Sequence, residues 1–364
     1  MILIVGSGLS GATIARKFAD DGYKVKVIDK RNHIGGNVYD FIDENGIRIS
    51  KYGAHIFHTN HKDVWDFVNK YSDWTEYEHR VKSFVDGELL DIPVNRRTFN
   101  KLSGMTLSEK QMKNFIKHQG KVNNIGKPIN SEESAIKRIG SIKIYEKMFK
   151  NYTKKQWDLW PEELEPEVMD RIPVRFDYND RYFNDTYEAL PSDGYTKFIE
   201  NMLNHENIDV ELNKEYTDSD GYEAIFFTGK IDSYFNDELG KLGYRSVKFE
   251  YETHNVDKYQ ETSVVNYPSL EYDFTRIVEY KHFYDNNSNI TVIAKEYSIP
   301  DGEPYYPIPT VKNRNLYKKY QEKAKKLEKN NIYFVGRLAN YKYFNMDQAI
   351  KNSLDLYNKV KEKI

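Results

Sequence analysis

The chain opens Met1-Ile2-Leu3-Ile4-Val5-Gly6-Ser7-Gly8-Leu9-Ser10-Gly11, and the reading of that stretch decides the fold. Ile2 to Val5 is a short, unbroken apolar run, as suits a strand covered on both faces of a parallel sheet, and it leads straight into glycine. Gly6, Gly8 and Gly11 fit the G-x-G-x-x-G pattern, whose glycines permit a tight turn, close backbone approach to a pyrophosphate, and close packing of helix on strand. Apolar spacing from Leu9 to Ala19 predicts a helix, and after Asp21-Gly22 the segment Val25-Lys26-Val27-Ile28 predicts a second strand ending at Asp29. An acid at that point is where a βαβ unit recognises a ribose. Alone, the glycine pattern is a weak signal. The strand, helix and acid around it make an unliganded glycine turn the poorer reading.

Two later runs also end in glycine: Ala224-Ile225-Phe226-Phe227-Thr228-Gly229 and Ile332-Tyr333-Phe334-Val335-Gly336. Both are predicted to join the first sheet, the second leading into a helix from about Met346 with Ala349, Ile350, Leu354 and Tyr357 on one side. The nucleotide domain is therefore expected to be discontinuous, built from residues 1–80, about 200–240 and 325–364. A helix is predicted within Asn60 to Tyr71, where Val64, Phe67, Val68 and Tyr71 share a face. Residues of about 96–155 read as a helical insert, with Thr106 and Glu109 as a capping box and Ile144, Tyr145, Met148, Phe149 and Tyr152 as one stripe. Short β-branched runs such as Ser263-Val264-Val265, Arg276-Ile277-Val278 and Thr291-Val292-Ile293 predict an antiparallel sheet drawn from about 80–95, 165–195 and 245–310. The fold class is α/β: a Rossmann-like domain with an inserted helical domain and an antiparallel β-sheet domain.

At 364 residues, the chain exceeds one typical core and can enclose a cofactor. Its 54 basic and 56 acidic side chains nearly cancel, so no global field favours nucleic acid or an anionic membrane. With no cysteine, disulfides, thiolate metal sites and thiol chemistry are excluded. No run approaches the ~20 apolar residues of a membrane span, and the opening lacks the pattern of a secretory leader. A cytoplasmic location is the expectation.

The choice between NAD and FAD falls on the next segment. Arg31-Asn32-His33-Ile34-Gly35-Gly36-Asn37 resembles the basic, double-glycine segment after the second strand in FAD proteins of the glutathione-reductase and amine-oxidase type. Phe334-Val335-Gly336-Arg337 resembles their C-terminal flavin-contacting strand, and together the two favour FAD.

Several motifs in order resemble the UDP-galactopyranose mutase family over nearly the whole chain. They are Val5-Gly6-Ser7-Gly8, Lys30 to Asn37, Tyr52-Gly53-Ala54-His55-Ile56-Phe57-His58-Thr59, and Tyr152-Thr153-Lys154-Lys155-Gln156-Trp157. Next come Arg171-Ile172-Pro173-Val174-Arg175, Thr228-Gly229-Lys230-Ile231-Asp232, Tyr305-Tyr306-Pro307-Ile308, and Gly336-Arg337-Leu338 with Tyr343, Met346 and Asp347. The resemblance implies a redox-neutral isomerase, active with reduced FAD, that interconverts UDP-galactopyranose and UDP-galactofuranose. In that scheme flavin N5 displaces UDP from the sugar and a covalent flavin–sugar adduct opens and recloses.

On the same resemblance, Arg171 and Arg276 are the arginines that hold the diphosphate; Arg supplies a permanently charged fork for phosphate oxygens. Tyr182, Tyr306 and Tyr343 are implied donors to the phosphates. Tyr152, Trp157 and Asn266 are implied contacts of the uridine, although Trp157 also suits a core anchor. His58 is implied beside the flavin on the substrate side. The cofactor residues implied are Gly6, Gly8, Ser10, Gly11, Asp29, Lys30, Gly36, Asn37, His55, Ile56, Arg337 and Met346. His55 and His58 are spaced as metal ligands on a helix would be, but no third ligand follows, and no metal is expected.

Three positions depart from the family pattern: His79 stands where an asparagine is common and is assigned to the substrate side, Met148 replaces an aromatic residue, and Asn345 replaces an acid. They leave the sugar open, with UDP-N-acetylgalactosamine an alternative. A second class, an amine oxidase or carotenoid desaturase with the same opening unit, predicts an apolar or amine substrate. A non-enzymatic flavin-binding protein predicts that the polar groups above do not converge. A homodimer is expected from the family.

Overall fold

The structure is a computed structural model that describes residues 1–170, 173–217 and 221–364. Arg171, one of the two arginines assigned to the diphosphate, therefore lies outside the described residues.

The opening strand Ile2–Val5 sits at the centre of a five-stranded parallel sheet. Its neighbours are Val25–Asp29 on one side and Ala224–Phe227 on the other, with Ile208–Leu212 and Ile332–Phe334 at the edges. Alternation along the strand explains why the run is apolar throughout. Ile2 and Ile4 pack into the main core with Phe18, Val27 and Phe226, while Leu3 joins Ile28, Ile225 and Ile332 on the other face. The helix Leu9–Asp20 follows directly, and the C-terminal helix Met346–Val360 packs beside it, the Phe18 and Tyr357 rings meeting edge to face at 5.2 Å.

A seven-stranded sheet forms the second layer, in the order Tyr306–Pro307, Tyr244–His254, Thr291–Ile299, Arg276–Glu279, Val264–Asn266, Val81–Val85, Glu88–Ile92. It is antiparallel except at one pair: Val264–Asn266 runs parallel to Val81–Val85. That exception follows from connectivity, since the long helical excursion separates the two strands in sequence and removes the constraint of a hairpin. A separate three-stranded antiparallel sheet has the order Phe57–Thr59, Tyr187–Pro191, Trp74–Glu76.

Between the strands Glu88–Ile92 and Tyr187–Pro191 lie the helices Arg96–Ser103, Glu109–Val122, Ser131–Ile139, Ile142–Tyr145 and Asn151–Trp157. A π-helical turn, Glu146–Lys150, lies just before Tyr152 and rotates the final helix relative to the turns before it. The capping box lies two residues later than predicted: Ser108, not Thr106, accepts from the Gln111 amide while the Gln111 side chain accepts from the Ser108 backbone. Serine followed by glutamine satisfies the same rule with neutral partners. A helix at Val311–Leu327 was not foreseen. No helix among the described residues is long and apolar enough to cross a membrane.

Candidate active site

At the carboxyl ends of the parallel strands a cavity of about 580 Å³ opens, within the range of small-molecule sites. Gly6, Gly8, Ser10, Gly11, Asp29, Lys30, Gly36, Asn37, His55, Arg337 and Met346 all line it; Ile56 is buried behind it and does not. The geometry suits an elongated dinucleotide. A Cβ on Gly11 would lie 1.8 Å from the Gly6 carbonyl oxygen, so only glycine lets the helix start so close to the strand. Gly36 approaches Gly8 so tightly that its Cβ would meet Gly8 Cα at 2.9 Å. Gly8, which caps the helix, offers no side chain, leaving the first-turn amides open to an anion.

Asp29 is fixed by its neighbours: Oδ2 accepts from the Ser7 amide at 2.8 Å and from the Ser7 hydroxyl at 2.6 Å, and Oδ1 accepts from the Arg31 amide at 3.0 Å. It retains acceptor capacity for ribose hydroxyls. Lys30 pairs with Glu303 at 2.7 Å, which ties the segment Glu303-Pro304-Tyr305 to the cavity wall. At the other end, Arg337 donates from Nη2 to the Phe344 carbonyl at 2.6 Å and from Nη1 to the Tyr305 carbonyl at 3.2 Å. Burial of the His55 ring, with the nearby Arg337 and Arg276 charges, lowers its pKa to about 4. The ring is neutral at pH 7 and adds no charge to the cavity.

Beyond His55 and Arg337, the residues Tyr152, Tyr306, His79 and Asn266 lie around Arg276, first residue of its strand. Its Nε donates to Glu296 Oε2 at 2.6 Å, the two being opposite each other in the antiparallel register. Glu296 is buried and its Oε1 has no partner, whereas the Arg276 side chain is about 33% exposed. Burial alone would lower the Arg276 pKa, but the carboxylate, with Tyr152 and Tyr306 nearby, holds it above the ordinary value. Tyr152 feels the fields of Arg276, Tyr182, Glu296 and Tyr343, and burial above all raises its pKa. Burial raises that of Tyr306 likewise. Both phenols are therefore protonated donors at neutral pH.

Trp157 is buried at 2% exposure in a cluster with Leu164 and Val168. Its ring lies 5.5 Å from Tyr306 and 6.4 Å from Tyr343, so it packs against those tyrosines. Arg337 lies over the Tyr343 ring at 5.0 Å, joining this cluster to the cofactor cavity. Asn266 is the register partner of Arg276. His58 stacks on Phe183 at 3.6 Å, and its Nδ1 hydrogen bonds to Asp185 at 2.6 Å. His79 is 4% exposed, its ring 5.5 Å from Tyr182 and 5.8 Å from Phe183. Burial, then Arg276 and His58, lowers the His79 pKa to about 3.

Sequence reasoning missed Glu296, Asp185 and Ser7. Ser7 lies within the glycine turn and could have been paired with Asp29, but the other two are partners created by register and by a distant loop. Among the described residues no three His, Asp or Glu side chains come together as metal ligands.

The fold and the cavity define a protein of the dinucleotide-binding class, with an arginine held by a buried glutamate and flanked by tyrosines beside its cofactor cavity. The profile of a Rossmann-like NAD(P)-binding domain matches residues 4–71, and the UDP-galactopyranose mutase profile matches residues 147–343. A Klebsiella pneumoniae protein named "Probable UDP-galactopyranose mutase" is 41% identical, covering 97% of this chain and 92% of its own. The Escherichia coli dTDP-fucopyranose mutase is 42% identical, covering 97% of this chain and 96% of its own. A crystal structure of reduced UDP-galactopyranose mutase superposes with a TM-score of 0.80 at 17% identity, over 100% of this chain and 96% of that one, which shows the shared fold. The chain belongs to the UDP-galactopyranose mutase family. It is an isomerase, and its cofactor is a flavin.

Proposed function

We propose that this chain interconverts UDP-galactopyranose and UDP-galactofuranose with no net oxidation or reduction. The observation that carries this reading is Arg276: a guanidinium fixed by Glu296, partly open, ringed by protonated phenols and next to the flavin cavity. A charged fork flanked by several neutral donors suits a diphosphate that must leave and return. Reduced FAD, when bound, supplies the nucleophile that acts at the anomeric carbon.

The chain's own residues then have distinct work. Arg276 holds phosphate oxygens through the guanidinium edge that Glu296 leaves free, and Arg171 is assigned the same task by its motif. Tyr182, Tyr306 and Tyr343 donate hydroxyl hydrogen bonds to the diphosphate without adding charge. Tyr152 and Asn266 face the nucleoside base, and Trp157 supports Tyr306 and Tyr343 from beneath. His58, oriented by Asp185 and Phe183, and the neutral His79 bound the sugar. The glycine turn, Asp29, Lys30 and Asn37 would hold the adenosine diphosphate half of FAD, and His55 and Arg337 would bind its flavin half. The same reading carries a cytoplasmic location and a homodimer, the latter tested by light scattering at twice the chain mass.

A second substrate, dTDP-fucopyranose, is favoured by the 42% identity of the Escherichia coli relative over 97% of this chain. One experiment separates the two: the dithionite-reduced protein is incubated with UDP-galactofuranose or with dTDP-fucofuranose and the products are resolved by chromatography. UDP-galactopyranose formed without stoichiometric consumption of reductant is the expected result. Conversion of the dTDP sugar alone transfers the conclusion to the second substrate, and an oxidised product, or no reaction with either, overturns both.

A further inference from the structure

The Lys155 side chain has the most concentrated set of contacts near the site, and none of the roles above uses it. Its ammonium donates to the carbonyl oxygens of Ser269 at 2.9 Å, Tyr272 at 3.0 Å and Phe274 at 2.8 Å, and also to that of Tyr267. All four belong to the connection between the strands Val264–Asn266 and Arg276–Glu279. Carbonyl oxygens drawn to one point repel one another unless a donor stands between them, and an ammonium has three N–H bonds for that purpose. Lys155 is thus a pin between the helix Asn151–Trp157 and this connection.

What the pin joins gives it meaning. Tyr152 lies three residues before Lys155 and so on the same helical face. Asn266 and Arg276, register partners, are the two residues from which the pinned connection departs and to which it returns. We propose that Lys155 is a positioning residue for the nucleotide: by binding four carbonyls of the 267–274 segment, it fixes the separation between Tyr152 on the helix and the Asn266–Arg276 pair on the sheet. This rests on the assignment of those three residues to a nucleoside diphosphate.

The connection has other supports. The Tyr267 amide donates to the Thr275 carbonyl at 2.9 Å, and the rings of Tyr267, Tyr272 and Phe274 pack at 4.9–5.5 Å. Loss of the lysine should therefore let the segment shift without unfolding it. Burial pulls the Lys155 pKa down to about 8, against the opposing pull of Asp273. Four carbonyl acceptors favour the charged form further, so the pin is an ammonium at pH 7.

The test is calorimetric titration of the flavin-loaded protein with UDP, comparing wild type, Lys155→Met and Lys155→Arg. Methionine keeps the stem and removes charge and donors; arginine keeps both. Lys155→Met is expected to weaken UDP binding at least tenfold and to raise KM more than it lowers kcat, with flavin content and absorbance unchanged, while Lys155→Arg stays within tenfold of wild type. A folded Lys155→Met that binds UDP within twofold of wild type overturns the proposal, as does equal loss in both variants, which marks a packing element rather than a donor. Should Lys155→Met not hold flavin, Lys155→Arg decides alone, a loss beyond tenfold overturning the assignment. Failure of the wild type itself to bind UDP instead removes the functional reading and this inference with it.

Discussion

Replacing Arg276 with methionine removes a cation and strands an anion. Glu296 is held at 2.6 Å by Arg276 Nε, its other oxygen has no partner, and its side chain is 5% exposed. Removing one partner of such a pair typically costs about 3–5 kcal/mol, because the remaining charge is buried unpaired. Adding Glu296→Gln removes the stranded charge, so the two substitutions should couple by about 2–3 kcal/mol in the direction of recovery. UDP affinity follows a different rule. The charge-assisted bonds that Arg276 offers a phosphate are worth about 1.5–3 kcal/mol, so binding should fall about 10- to 150-fold in the single variant and not return in the double. Urea unfolding of the flavin-loaded proteins by tryptophan fluorescence, with calorimetric UDP titration, measures both. A double variant no more stable than Arg276→Met refutes the claim that Glu296 is held by that arginine. Recovery of UDP binding in the double variant refutes the assignment of Arg276 to phosphate.

Other perturbations separate cofactor, sugar side and pH. Gly11→Ala sets a Cβ 1.8 Å from the Gly6 carbonyl oxygen and should yield folded protein with most of its flavin lost, read from the absorbance of the purified chain. Asp185→Asn weakens the hydrogen bond that orients His58 and should lower kcat/KM about tenfold, the value of one ~1.4 kcal/mol interaction, with UDP affinity unchanged. His79 titrates near 3 when folded against about 6.5 when unfolded, so the unfolded chain binds more protons between those values; the contribution is present above pH 6.5 and lost as pH falls toward 3. Stability should therefore drop by about 1.4 kcal/mol per pH unit on account of this ring well below pH 6.5, and His79→Asn should flatten that slope in urea midpoints taken at pH 7, 5.5 and 4.5.

The parts legible in the sequence are those in which neighbours in the chain are also neighbours in space. The strand, turn, helix and strand from Ile2 to Asp29 are contiguous, and the buried runs at 224–227 and 332–334 announce themselves because a strand covered on both faces has no polar side to blur it. The helix Val311–Leu327 escaped notice for the opposite reason. Only Tyr320 and Ala324 are buried in it, with Leu316 and Tyr317 partly so, and lysines and other polar residues dominate the remainder, so its apolar stripe is too narrow to stand out. Glu296 and Lys155 were hidden for a third reason. The carboxylate finds Arg276 through the register of two strands, and the ammonium finds its carbonyls across more than a hundred residues of chain. Neither distance nor register is written in local periodicity.

The pairing of Arg276 with Glu296 also bears on why so acidic a partner stands in a site proposed to receive a diphosphate. A free arginine among buried phenols would hold the departing anion tightly, and a leaving group bound more firmly than the transition state slows the step that returns it. Glu296 occupies one edge of the guanidinium and offsets its charge, while Tyr152 and Tyr306 keep their protons and add donors without adding charge. Such a site orients a diphosphate through geometry more than through net attraction. That balance suits a diphosphate that the proposed reaction must release and take back.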